Sequence, residues 1–234
     1  MILSGAELRV FDDKAAVAGA AAALIIERAR TAIAERGCFR IVLAGGGTPT
    51  AAYQLLAGLE TEWSVWHVYH GDERCLPAAD SERNSFTAEQ ALLDRVPIPR
   101  GQIHAIAAER GAEAAAEDYS AIIATALPFD LVLLGMGEDG HTASLFPRHE
   151  IPPEQLAIAV HGAPKPPSDR VSLTPEALCR SRCMLFLITG AGKRDALRRW
   201  AENEALPVAR VAACGNSIVL LDRDAAGDAA ALPC

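Results

Sequence analysis

Short apolar runs, each closed by glycine, proline or charge, recur along the chain and alternate with longer stretches of helical periodicity. This alternation is the feature that most limits the fold. A run such as Leu131-Val-Leu-Leu134 or Met184-Leu-Phe-Leu-Ile188 has no polar face, so it suits a strand covered on both sides. Strands of that kind separated by helices build βα units, and the pattern predicts an open, largely parallel, twisted α/β sheet of Rossmann-like type with helices on both faces. Strands are expected at 39–44, 66–70, 103–106, 131–134, 156–160, 184–189 and 218–221. Helices are expected at 14–35, 49–59, 86–93, 112–126, 175–179 and 192–203.

Thr48-Pro49 and Thr174-Pro175 each offer a hydroxyl N-cap followed by proline at the first helical position. The segment 147–167 holds six prolines and reads as an extended crossing loop or small lid on a single α/β domain spanning residues 1–234. The residues after Asp222 are expected to be loosely ordered.

Composition narrows the function by exclusion. The 234 residues carry a formal charge of -8, which disfavours a nucleic-acid footprint while leaving room for a small anion held by a few local cations. Met1–Phe11 carries no basic start or long apolar core, and no apolar window reaches membrane-spanning length, so a cytoplasmic protein without membrane association is expected. The six cysteines (Cys38, Cys75, Cys179, Cys183, Cys214 and Cys234) form no CxxC pair and are expected to be reduced and mostly buried. A zinc site at Cys179 and Cys183 would lack two ligands. The sequence leaves monomer and weak dimer both open.

Polar, glycine-rich segments fall directly after four of the strands: Gly45-Gly46-Gly47-Thr48, Gly71-Asp72-Glu73-Arg74, Gly135 to His141, and Gly190-Ala191-Gly192-Lys193. Ligands of open α/β sheets bind at the carboxyl ends of the strands, so these loops should converge on one crevice. The first suits an anion, because backbone N–H groups and a helix N-terminus can approach it closely. Gly135-Met-Gly-Glu-Asp-Gly140 matches GxGxxG formally, but Glu138 and Asp139 would face a pyrophosphate, and Gly190-Ala-Gly-Lys193 lacks the first glycine and the hydroxyl of a Walker loop. In Asp139-Gly140-His141 a carboxylate stands two residues before an imidazole, the pairing a general base needs near neutral pH. Arg74 is expected to face the substrate, with Asp72 or Glu73 on sugar hydroxyls. Among Lys165, Arg170, Lys193 and Arg194, Arg170 and Lys193 suit a phosphate best, as fork and point charge. His67, His70, His104, His149 and His161 have no metal-site spacing.

Together these segments resemble the 6-phosphogluconolactonase family, within the larger group that includes glucosamine-6-phosphate deaminases. The resemblance rests on Ala44 to Pro49, Trp66 to Pro77, Ser81 to Ser85, Gly135 to Pro147, Pro164 to Pro167 with Arg170, and Thr189 to Lys193. It departs at His70, where an aromatic often stands, and at Arg148, where glycine is common. It implies hydrolysis of a phosphorylated sugar lactone, with no metal or organic cofactor, by His141 as base and Asp139 as its support. It also implies substrate contacts from Gly46, Gly47, Thr48, Arg74, Arg170 and Lys193, beside the Asp72 expected above on a sugar hydroxyl. Two alternatives are a deaminase, which resembles this chain less because Ser144-Leu-Phe-Pro147 contains no acid, and a non-catalytic sugar-phosphate sensor.

Overall fold

The computed structural model describes residues 3, 5–147, 149–152 and 154–227. In chain order its strands are β1 (Ala6–Phe11), β2 (Phe39–Leu43), β3 (Trp66–His70), β4 (Asp72–Arg74), β5 (Ile103–His104), β6 (Leu131–Leu134), β7 (Ala157–Val160), β8 (Arg170–Leu173), β9 (Met184–Ile188) and β10 (Ser217–Asp222). The α-helices are α1 (Lys14–Arg36), α2 (Gly47–Leu56), α3 (Asn84–Ala88), α4 (Ala112–Ala126), α5 (Pro175–Cys179), α6 (Arg194–Ala201), α7 (Pro207–Ala212) and α8 (Arg223–Ala226).

Seven strands form one sheet in the order β1-β10-β9-β6-β2-β3-β5, and all their pairings are parallel. From β2 the chain steps outward through β3 to β5, then returns to the opposite side of β2 with β6. The strand order therefore reverses between β2 and β6, and the crevice a doubly wound sheet offers lies above that point. Helices cover both faces, as the sequence predicts. One core cluster joins α1 and α2 to the sheet through Ile25, Tyr53 and Trp66, and the other joins α4 to α8 through Tyr119, Phe186 and Trp200. Fully burying one aliphatic or aromatic side chain contributes about 1.5–3 kcal/mol. Phe39 and Trp66 add an edge-to-face contact at 4.7 Å.

The second sheet departs from the expected single layer. Strands β4, β8 and β7 pair antiparallel in that order, so the apolar run expected at 156–160 stands outside the main sheet. The short charged stretch Asp72–Arg74 and the polar start of β8 hid this sheet from hydrophobic patterning. The edge strand β1 and the helix α7 likewise went unforeseen. The segment beyond Asp222, expected to be loose, begins with α8, whose N-terminus Asp222 caps through Ala225 N at 2.7 Å. Residues 228–234 and Arg148 lie outside the described residues.

Two local expectations are also corrected. Thr174 caps α5 as predicted, whereas α2 starts at Gly47 with Gly46 as an N-cap that has no side-chain hydrogen bond, so Thr48 lies inside the helix. Cys179 and Cys214 form a disulfide with Cα atoms 5.4 Å apart, because α5 and α7 pack together and bring distant positions into register. Cys38, Cys75 and Cys183 are free thiols, and Cys234 lies outside the described residues. Among the described residues no helix is long and apolar enough to cross a membrane.

Candidate active site

A cleft of 460 Å³ opens above the β2/β6 reversal, and all four glycine-rich loops reach it. Its walls include Gly45 and Gly46 after β2, Gly71, Asp72 and Arg74 after β3, Gly137 and His141 after β6, and Lys193 after β9. The small sheet closes the fourth side. Leu173 N donates to Gly71 O at 2.8 Å, which docks β8 on the end of β3 and carries Lys165, Pro166 and Arg170 to the rim.

The loop after β6 folds on itself around the imidazole. Gly137 N donates to His141 O at 2.8 Å and Gly140 N to Gly137 O at 3.1 Å, while α7 braces the loop from behind through Val208 N to Gly140 O at 3.1 Å. Within it Asp139 Oδ1 accepts from His141 N at 3.1 Å and lies 2.5 Å from His141 Nδ1. A carboxylate at Nδ1 keeps the proton there and leaves the Nε2 lone pair for the cleft. Burial of the Asp139 carboxyl opposes its ionisation, but the His141 N–H and ring outweigh this and hold it below the usual carboxylate range. Phe146 packs on the His141 ring at 4.6 Å.

Four cations line the cleft: Arg74, Lys165, Arg170 and Lys193. Arg170 is buried, stacks over Phe146 at 5.6 Å and donates from Nη2 to Lys165 O at 2.9 Å, so its fork is held in place. Burial lowers its pKa, and burial likewise lowers that of Lys193. A cation stripped of water in this way gains by taking an anion. Arg74 donates to Glu82 O, and its Nε is buried without a hydrogen-bond partner among the described residues.

The adjacent acids divide. Glu73 is fully buried and accepts from Arg74 N, Asn84 N and Ser85 N, each at 2.8 Å. It anchors the start of α3 and does not line the cleft. Asp72 does line the cleft, and burial raises its pKa against hydrogen bonding from Ser144. Thr48 is buried with its hydroxyl 2.7 Å from that of Thr189, and so points into the protein instead of the cleft. Gly47 borders an adjoining pocket of 400 Å³ that it shares with Gly46, Arg74 and Asn84.

Sequence reasoning assigned no role to Asn84, Ser144 or Phe146. All lie within segments that carried the resemblance, but only the fold shows what they touch. Burial pushes the Cys75 thiol up to about 11, which makes it a poor nucleophile beside Arg74. Among the described residues no group of three or more His, Cys, Asp or Glu side chains could hold a metal ion.

Comparison with known proteins identifies the family and the fold. A family model described as glucosamine-6-phosphate isomerases/6-phosphogluconolactonase matches residues 12–220. The chain is 39% identical to the 6-phosphogluconolactonase of Mycobacterium tuberculosis over 94% of its own length and 96% of the relative's. It is 42% identical to that of Streptomyces coelicolor, covering 82% and 81%. The crystal structure of 6-phosphogluconolactonase from Thermotoga maritima superposes with a TM-score of 0.87 at 29% identity, over 93% of this chain and 99% of that one. A monomeric glucosamine-6-phosphate deaminase shares the fold, with a TM-score of 0.84 at 19% identity over 94% and 98%. With a family model spanning most of its length and relatives at this identity, the chain belongs to the glucosamine-6-phosphate isomerase/6-phosphogluconolactonase family.

Proposed function

We propose that the protein hydrolyses 6-phospho-D-glucono-1,5-lactone to 6-phospho-D-gluconate, with His141 as general base and no metal in the reaction. The observation that carries this reading is the Asp139–His141 pair at 2.5 Å in a cleft walled by four cations. An anionic sugar enters a positive crevice, and the cations at the rim hold its phosphate as Arg fork and Lys point charge. Arg170 and Lys193 are the principal anchors, with Arg74 beside them and Gly46 and Gly47 offering backbone donors.

Water then attacks the lactone carbonyl carbon while His141 Nε2 takes its proton. The tetrahedral oxyanion forms in a site of fixed positive charge, which favours it over the neutral carbonyl. Collapse breaks the bond to the ring oxygen, and the imidazolium returns its proton to that oxygen. Asp139 stabilises the imidazolium between the two transfers. The acid product ionises at neutral pH, so each turnover releases one proton.

The deaminase alternative finds less support at the positions following His141. There Ser144 turns its hydroxyl to Asp72, and Leu145 and Phe146 are buried, so this stretch supplies no carboxylate. Proton release from freshly generated 6-phosphogluconolactone tests the reading. Wild type should exceed the spontaneous rate, and His141→Ala should lose ~10²–10⁴-fold in kcat while still binding 6-phosphogluconate. Full activity in that variant would remove His141 from the chemistry. No acceleration by wild type, with ammonia released from glucosamine 6-phosphate, would establish the deaminase.

A further inference from the structure

The cleft contains one buried acid that the mechanism above leaves without an explained geometry, and the groups holding it come from two elements distant in sequence. Asn84 Nδ2 donates to both Asp72 O and Asp72 Oδ1 at 3.0 Å. Both partners are acceptors, so the amide can face only one way. Its backbone N–H is fixed in turn by Glu73 Oε1 at 2.8 Å. The opposite carboxyl oxygen, Asp72 Oδ2, accepts from Ser144 Oγ at 2.6 Å. Ser144 is fully buried, and its own N–H donates to Ser172 Oγ at 3.2 Å. The amide carbonyl of Asn84 then faces the glycine turn, where a Cβ on Gly45 would stand 2.0 Å from Asn84 Oδ1.

We propose that Asn84 and Ser144 are positioning residues that clamp the Asp72 carboxyl from both sides, so that its remaining lone pairs read a hydroxyl of the sugar ring. The proposal rests on the lactonase reading of the cleft and deepens it. Each carboxylate oxygen has two lone pairs and one protein donor, which leaves one acceptor site per oxygen for a ligand. Being buried, the carboxyl cannot turn to bulk water when a donor is lost, so each clamp contributes to where it points. The two clamps also bind the loop after β6, which carries His141, to the loop after β3 and the start of α3. The hydroxyl reader is thereby held at a set distance from the base.

The charged groups acting on Asp72 are Arg74 and Glu73 on its own strand and Arg170 from β8, and His141, Lys165 and Lys193 line the same cleft. A second carboxyl placed against it would therefore add a new ionisation to a site already rich in charge. Asn84→Asp makes that change in place. Two carboxyls at hydrogen-bond distance share one proton, and the pair titrates as a unit.

The test is the pH profile of kcat/KM for wild type, Asn84→Ala and Asn84→Asp on 6-phosphogluconolactone, with folding checked by circular dichroism and thermal melting. Asn84→Ala should lose ~10–100-fold with the wild-type profile shape. Asn84→Asp should show an added limb, falling as pH rises and the shared proton leaves. A folded Asn84→Asp whose profile parallels wild type would overturn the proposal. Should that variant fail to fold, Ser144→Ala decides: a raised KM supports the clamp and a wild-type KM removes it. If wild type shows no lactonase activity, the functional reading falls, and the same pH comparison on 6-phosphogluconate binding still judges the clamp.

Discussion

The glycine turn after β2 and the loop after β6 look alike as sequence, yet their backbones serve different partners. In each, one glycine leaves space for a polar side chain of the protein itself. A Cβ on Gly45 would stand 2.0 Å from Asn84 Oδ1, and a Cβ on Gly137 would stand 2.1 Å from His141 Nδ1 and Cε1. The difference lies in the N–H groups. The loop after β6 turns them inward, with Gly137 N on His141 O, Gly140 N on Gly137 O and His141 N on Asp139. The turn after β2 leaves the start of α2 without a side-chain cap at Gly46, so donors and the positive helix end remain open to an anion. One glycine run orients a base, and the other keeps a binding edge free.

Of the two loops, the one after β6 is the more sensitive, at Gly137. Gly137→Ala should force the imidazole out of its seat and away from Asp139, with a loss in kcat approaching that of His141→Ala, ~10²–10⁴-fold. Steady-state kinetics with thermal melting as a folding control would check this. A folded variant with wild-type kcat would show that the loop does not need the ring where it lies. Gly45→Ala should cost less, about tenfold in kcat/KM, because its Cβ displaces a group that acts through Asp72. Combined with Asn84→Ala, it should add less than its own effect, since the side chain it strikes is gone. Full additivity would uncouple the turn from the amide.

The main sheet and the Asp139–His141 pair were legible because period and adjacency are written locally. Unbroken apolar runs mark strands buried on both faces, and two residues one glycine apart can meet without help from the rest of the chain. The small antiparallel sheet was not legible, since β4 is three charged residues and the polar/apolar alternation of β8 runs for only four, too short to stand out as a strand. The Asp72–Asn84–Ser144 clamp was hidden for another reason. Its members stand far apart in sequence, and only the docking of β8 beside β4 and the return of β6 next to β2 brings them together. The Cys179–Cys214 disulfide escaped for the same cause, because its pairing depends on how α5 meets α7.

Thr48 offers the finest test of what the turn after β2 does. Its place after three glycines and before a proline suggested a cap or a substrate contact, but its hydroxyl lies 2.7 Å from that of Thr189 and is shielded from the cleft. Thr48→Val keeps the shape and strands the half-buried Thr189 hydroxyl, which costs about 1 kcal/mol of stability. The melting temperature should therefore fall by several degrees while KM stays within about twofold of wild type, because the open donors at Gly46 and Gly47 are untouched. A large rise in KM with unchanged melting would instead place the Thr48 hydroxyl on the ligand. The turn would then recognise its anion through a side chain as well as through its backbone.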